Sequence, residues 1–107
     1  MKPEYIPLKL HHNEEEKKFE LIVNQLPVLI EYEISDKNQF TLVHTEAAPE
    51  LAGTGAAQAL VEKVFEYLEK NHFSMIPECP YLFSFVKKHP EWKRIMDKNC
   101  PQYQTLD

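Results

Sequence analysis

Glycine is almost missing from this chain: its 107 residues include two, Gly53 and Gly55. A chain so poor in glycine builds its other turns from Asn, Asp, Ser and Pro, and keeps its glycines where the backbone needs them. Cysteine is equally scarce. Cys79 and Cys100 cannot make a disulfide framework, and each is followed by proline, so neither opens a C-x-x-C motif. Both are expected as free thiols in a reducing compartment. No apolar run approaches the ~20 residues that cross a bilayer, and no signal-peptide core follows Met1. A cytoplasmic protein with no membrane partner is therefore expected. Positive charge is also in deficit: the formal net charge is -5, which argues against a nucleic-acid partner. The local exception is Lys87, Lys88, His89, Lys93 and Arg94, which form either a phosphate-contacting patch or a solvated helix face. Internal repeats and low-complexity segments are absent.

What remains is the composition of one folded domain, 43 % hydrophobic and 27 % charged, spanning residues 1–107. Its core is expected over about 17–96, with arms at 1–12 and 99–107. Lys18–Asn24, Val28–Ser35 and Phe40–Ala47 are rich in β-branched and aromatic residues and predict three strands. Ile30, Tyr32 and Ile34 alternate with Glu31 and Glu33, so one sheet face is more exposed. The short links Asn24–Pro27 and Ser35–Asn38 predict an antiparallel meander. Ala57, Leu60, Val61, Val64, Phe65 and Leu68 then recur at helical spacing, ending near Asn71-His72. Phe73–Pro77 predicts a buried strand reached by a right-handed crossover. Pro80–Lys88 and Pro90–Asp97 predict two further helices, each opened by proline. The first twelve residues predict a weakly ordered arm with a short strand around Ile6–Leu10, and the segment beyond Asn99 a frayed tail. His11 and His12 point opposite ways on an extended chain, so they are poor partners for one metal, and no metal is expected. The fold class is α/β: an antiparallel meander followed by a βαβα half round one mixed sheet.

Both glycines fall between a strand and the start of the most regular helix. Strand, glycine loop and helix N-terminus together make an anion site, because the first helical N–H groups lack partners and the helix dipole is positive there. Phosphates or pyrophosphate are expected at residues 52–57. A P-loop is disfavoured, since no Lys-Ser/Thr pair follows Gly55.

Four pieces in this order and spacing carry a family resemblance: His44-Thr45-Glu46 at a strand end, Pro49 to Ala57 in the loop, Ile76-Pro77-Glu78-Cys79-Pro80-Tyr81, and Lys88-His89-Pro90-Glu91-Trp92. Over about residues 17–96 the chain resembles the GNAT superfamily of acyl-CoA-dependent N-acetyltransferases, specifically its short subgroup. The resemblance implies a GNAT-like fold, acetyl-CoA as co-substrate and an amine acceptor, with the protein a monomer or weak dimer. The acidic surface points to a cationic acceptor. By the same resemblance Leu51, Ala52, Gly53, Thr54, Gly55, Ala56 and Ala57 hold the pyrophosphate. Thr45, Glu46 and Ala47 align the pantetheine where the strands splay, and Cys79 touches the ligand. Two departures stand out. The loop pattern opens with Arg or Gln, and Ala52 occupies that position. Losing that contact to pyrophosphate costs on the order of 1–2 kcal/mol if nothing replaces it. Second, the helices that larger members insert between their first strands, forming part of the acceptor wall, have no counterpart in so short a chain.

Acyl transfer needs a base for the amine, a polarised carbonyl and an acid for the leaving thiolate. His44 and Glu46, two apart on one strand face, are the base candidates; the alternative is that His44 is a structural residue fixing the strand end. Cys79 stands where a helix N-terminus favours a thiolate, and is either an acyl-accepting nucleophile or a small buried hydrophobe. Tyr81 is the candidate acid or a packing anchor. Two functions follow: an acetyl-CoA-dependent N-acetyltransferase, or a non-catalytic CoA-binding interaction module lacking a complete acceptor site.

Overall fold

The alternating stretch in the middle of the chain becomes the longest strand of a five-stranded sheet. In a computed structural model, which describes residues 2–36 and 38–106 and only the backbone at 35 and 36, the strands are β1 (His11–Asn13), β2 (Lys18–Val23), β3 (Leu26–Asp36), β4 (Gln39–Ala47) and β5 (Ser74–Pro77). Sheet order follows chain order. Every pair is antiparallel except β4 with β5, which is parallel. Lys37, within the turn expected over Ser35–Asn38, lies outside the described residues, as do Met1 and Asp107.

Alternation sorts the faces. Phe19, Leu21, Val28, Ile30, Tyr32 and Leu42 point into the core, while Glu31 and Glu33 are exposed. Between β2 and β3 the chain turns through Asn24 and Gln25, whose φ values of 53° and 69° give the left-handed pair a two-residue hairpin needs. That turn is made without glycine.

Helix α1 (Ala56–Lys70) buries Ala59, Leu60, Val64, Phe65 and Leu68 against β2 and β3. It ends in a Schellman motif: His72 adopts φ 60°, its N–H bonds to the Glu69 carbonyl, and the Phe73 N–H reaches the Leu68 carbonyl at 2.8 Å. Helix α2 (Pro80–Lys88) starts on the proline after Cys79 and packs on α1, with the Phe65 and Phe85 rings 5.8 Å apart. The next segment departs from expectation. Pro90–Ile95 is a 3-10 helix rather than an α-helix, because Met96 must leave it extended to bridge Met75 in parallel, where the Asp97 N–H meets the Met75 carbonyl at 3.0 Å. Two parallel crossovers in one direction, β4 to β5 through α1 and β5 to Met96 through α2, have their helices in contact through Phe65 and Phe85, on one face of the sheet. The opposite face, carrying Glu20, Ile22, Leu29, Glu31 and Glu33, has no helix among the described residues.

Both ends of the chain are more structured than expected. The short strand lies at His11–Asn13, not Ile6–Leu10, because Pro7 has no N–H to give a ladder. Pro3–Tyr5 forms a 3-10 turn that buries Tyr5. Beyond Asn99 the chain forms α3 (Pro101–Thr105), with Cys100 buried before it.

Candidate active site

The site begins where two strands part. β4 pairs with β5 only from Gln39 to Leu42, and the last link across is the Cys79 N–H to the Leu42 carbonyl, at 3.0 Å. There the ladder with β3 slips, Tyr32 facing Leu42 but Glu31 facing His44, so Val43 is a β-bulge. Past the bulge β4 runs on to Ala47 with no strand on its β5 side among the described residues. Ala48 donates its N–H to Pro27 at 3.3 Å, which sets the alternation of the antiparallel ladder. The N–H groups of Thr45 and Ala47 therefore face the vacated side. That of Glu46 faces Leu29, so the main chain of Glu46 belongs to the sheet and not to the gap.

The loop after β4 folds tightly. A 3-10 turn at Pro49–Leu51 leads to Gly53 at φ 77° and Gly55 at φ 85°, both left-handed. Between them the Thr54 hydroxyl donates to the Leu51 carbonyl (2.6 Å) and accepts the Ala56 N–H (3.2 Å). The Ala59 N–H reaches the Gly55 carbonyl at 3.0 Å, which is the first bond of the helical ladder. The amides of Ala57 and Gln58 are thus left without intrahelical partners at the positive end of α1. They open on a cleft of about 480 Å³ walled by Ala47 to Pro49, Leu51 to Gly55, Tyr81 and Lys2.

The four chemical candidates divide between the two faces of the sheet. Thr45 is in register with Ile30, on the helix side, and the buried Cys79 thiol donates to the Thr45 hydroxyl at 3.4 Å. Tyr81 is partly exposed at the cleft wall; burial, with the nearby Cys79 as a smaller cause, raises its phenol above the ordinary value, so it stays protonated at neutral pH. His44 and Glu46 stand on the open face, exposed, with His44 Nε2 3.6 Å from Glu46 Oε1. The gap beyond Leu42, where β4 leaves β5, separates the two pairs.

Other expected features resolve locally. The late basic residues are largely engaged at short range. Arg94 binds Glu69 through two N–H groups and stacks over Trp92 at 4.7 Å, Lys87 lies over Phe83, and Lys93 over Tyr103. His12 stacks on Phe19 and bonds to the Tyr32 hydroxyl at 2.6 Å. No group of three His, Cys, Asp or Glu that could hold a metal occurs among the described residues. One cleft residue and one loop support are not evident from the sequence. Lys2 lines the wall, and the Tyr5 hydroxyl donates to the Thr54 carbonyl at 2.9 Å. Their one signal was an aromatic between prolines, far in sequence from the loop it supports.

The model of the GCN5-related N-acetyl-transferase family matches residues 18–95. The chain belongs to that family. The match takes in the glycine loop, Cys79 and Tyr81 of this family member and leaves out Lys2 and Tyr5. In fold the chain is similar to a GCN5-like protein from Staphylococcus aureus solved by NMR, with TM-score 0.65 and 24% identity over 86% of this chain and 90% of that one. At that identity the likeness is one of fold. Among curated proteins none is a significant match.

Proposed function

We propose that the protein binds acetyl-CoA through the glycine-loop cleft and transfers its acetyl group to a cationic amine. One observation carries this reading: β4 and β5 part directly beside the helix start where Ala57 and Gln58 present free amides. A linear ligand with phosphates at one end and a thioester at the other fits that path. Its phosphates meet Gly53 to Gln58, its pantetheine pairs with the Thr45 and Ala47 amides, and its carbonyl enters the gap over Cys79.

The amine approaches from the open face. That face carries Glu20, Glu31 and Glu33 beside the Glu46 carboxylate, against the one cation Lys18, which Glu16 pairs, so it is net acidic and attracts a cationic acceptor. His44 takes the ammonium proton, and Glu46 at 3.6 Å stabilises the imidazolium. The freed nitrogen attacks the thioester carbonyl carbon, the C–N bond forms, and the C–S bond breaks. Tyr81, kept protonated by its raised pKa, gives its proton to the leaving sulfur and is reprotonated by the second proton, which the acylated nitrogen sheds as the amide forms. Cys79 either packs under the thioester or accepts the acetyl group first.

Titration with acetyl-CoA and with CoA, following backbone amide shifts, tests the binding half. Shifts centred on Gly53 to Gln58, Thr45 and Ala47 are expected; none at millimolar ligand would sink the reading. Release of free thiol with a panel of polyamines and lysine peptides tests the transfer half. A second reading, a CoA-binding interaction module without turnover, is favoured by the uncovered sheet face. Both links on the acceptor side, Glu14–Lys17 and Asn24-Gln25, are turns too short to hold a wall. Binding without turnover on the whole panel would decide for it.

A further inference from the structure

Among the described residues, the cleft that faces the helix start is lined by a single charged side chain, and that charge comes from the amino-terminal segment. Main-chain amides, Thr54, Gln58 and Tyr81 supply its other polar groups, and no carboxylate borders it. The charged residue is Lys2. An ideal Cβ placed on Gly55 would stand 3.8 Å from Lys2 Cε, so the lysine stem crosses the loop at the position where the backbone is barest. Lys2 forms no ion pair with any described residue.

Nor is Lys2 part of a loose end. The Tyr5 N–H bonds to the Lys2 carbonyl at 3.0 Å, closing the 3-10 turn at Pro3–Tyr5. The Tyr5 ring is buried against the loop, its hydroxyl donates to Thr54, and Lys63 Nζ donates to the Ile6 carbonyl at 3.0 Å. Three attachments thus hold a short segment whose free cation borders the cleft. The loop itself carries no cation: the residues from Leu51 to Ala57 are all uncharged.

We infer that Lys2 is a phosphate-binding residue of the cleft, supplying from the amino-terminal segment the positive charge that Ala52 does not. This rests on the reading that the cleft takes the phosphates of CoA. Lys2 binds a diphosphate as a compact point charge while the amides of Ala57 and Gln58 fix its position, and Tyr5 holds the segment so that little is lost in ordering it.

The test compares wild type, Lys2→Gln, Lys2→Arg and Lys2→Gln with Ala52→Arg, titrated with CoA and with S-acetylpantetheine, which lacks the diphosphate, at low and high salt. For CoA at low salt, Lys2→Gln is expected to raise Kd roughly five- to tenfold, with the gap closing at high salt. Lys2→Arg should bind as wild type does, Ala52→Arg should restore the lost affinity, and S-acetylpantetheine should not distinguish the variants. An unchanged CoA Kd in Lys2→Gln, with loop amides still shifting, overturns the role of Lys2 and leaves the cleft reading standing. Equal weakening of both ligands also overturns it, because the segment would then act through packing rather than charge. If wild type gives no shift at Gly53 to Gln58 with CoA, the cleft reading fails and the assignment of Lys2 falls with it.

Discussion

Gly55 combines two demands that no other residue type meets together. Its φ of 85° lies where a side chain is strained, and its bare backbone is what the cleft exposes. The nearest atoms to an added Cβ are at ordinary contact distance, so strain rather than collision is the obstacle. Gly55→Val should therefore cost about 1–3 kcal/mol in chemical denaturation and should abolish the loop amide shifts with CoA. Retained CoA affinity in a folded variant would refute the loop assignment. Cys79 presents a cleaner question, since its thiol is buried beside Thr45 and makes one weak hydrogen bond. Cys79→Ala should leave the CoA Kd within about threefold and lower kcat at least tenfold. An unchanged kcat would make Cys79 a packing residue.

Among the elements, the amino-terminal segment couples stability to the loop. Tyr5→Phe deletes the hydrogen bond to Thr54 and should cost about 0.5–1.5 kcal/mol in thermal unfolding, with faster amide exchange at Thr54 to Ala56. Unaltered exchange there would mean that the loop holds its shape alone. β1 depends on a histidine. Burial against Phe19 and its aromatic neighbours lowers His12 below its ordinary value, an effect only partly offset by the Glu14 carboxylate. With the folded pKa lowered, the unfolded chain holds more protons between the two values. Stability is therefore undiminished above the ordinary pKa near 6.5 and falls as pH drops from there toward the lowered folded value. The melting temperature should drop between pH 7.5 and pH 5.0, and His12→Gln should show a smaller drop. An equal drop in both proteins would assign the effect to other groups.

Across the molecule, a single layer of helices covers one face of one sheet, so the core has few residues to spare. Phe65 is fully buried and meets Phe85 and Trp92 edge-on, joining α1, α2 and the 3-10 segment. Phe65→Ala should destabilise the protein by about 3–5 kcal/mol, measured by denaturant midpoint at constant m-value. A loss under 1 kcal/mol would mean that the three elements do not share one core.

Much of this was legible in the sequence because it depends on local periodicity. Apolar spacing marked α1 and strands β2 to β5 but not β1, and the two glycines marked the loop, since positive φ beside a helix start is written in residue type. What the sequence left open depends on which distant segments meet. Proline at position 7 could not reveal that Tyr5 packs on Thr54, nor the Pro90 segment that Met96 would be drawn extended beside Met75. Alternation placed His44 and Glu46 on one strand face, but the bulge at Val43 and the packing of both helices on the other face decided that this face is the open one, opposite Thr45 and Cys79. Local sequence determines φ, ψ and burial pattern. Only tertiary packing, through strand register and long-range contact, decides which chemical groups share a cleft and which lie across the sheet from it.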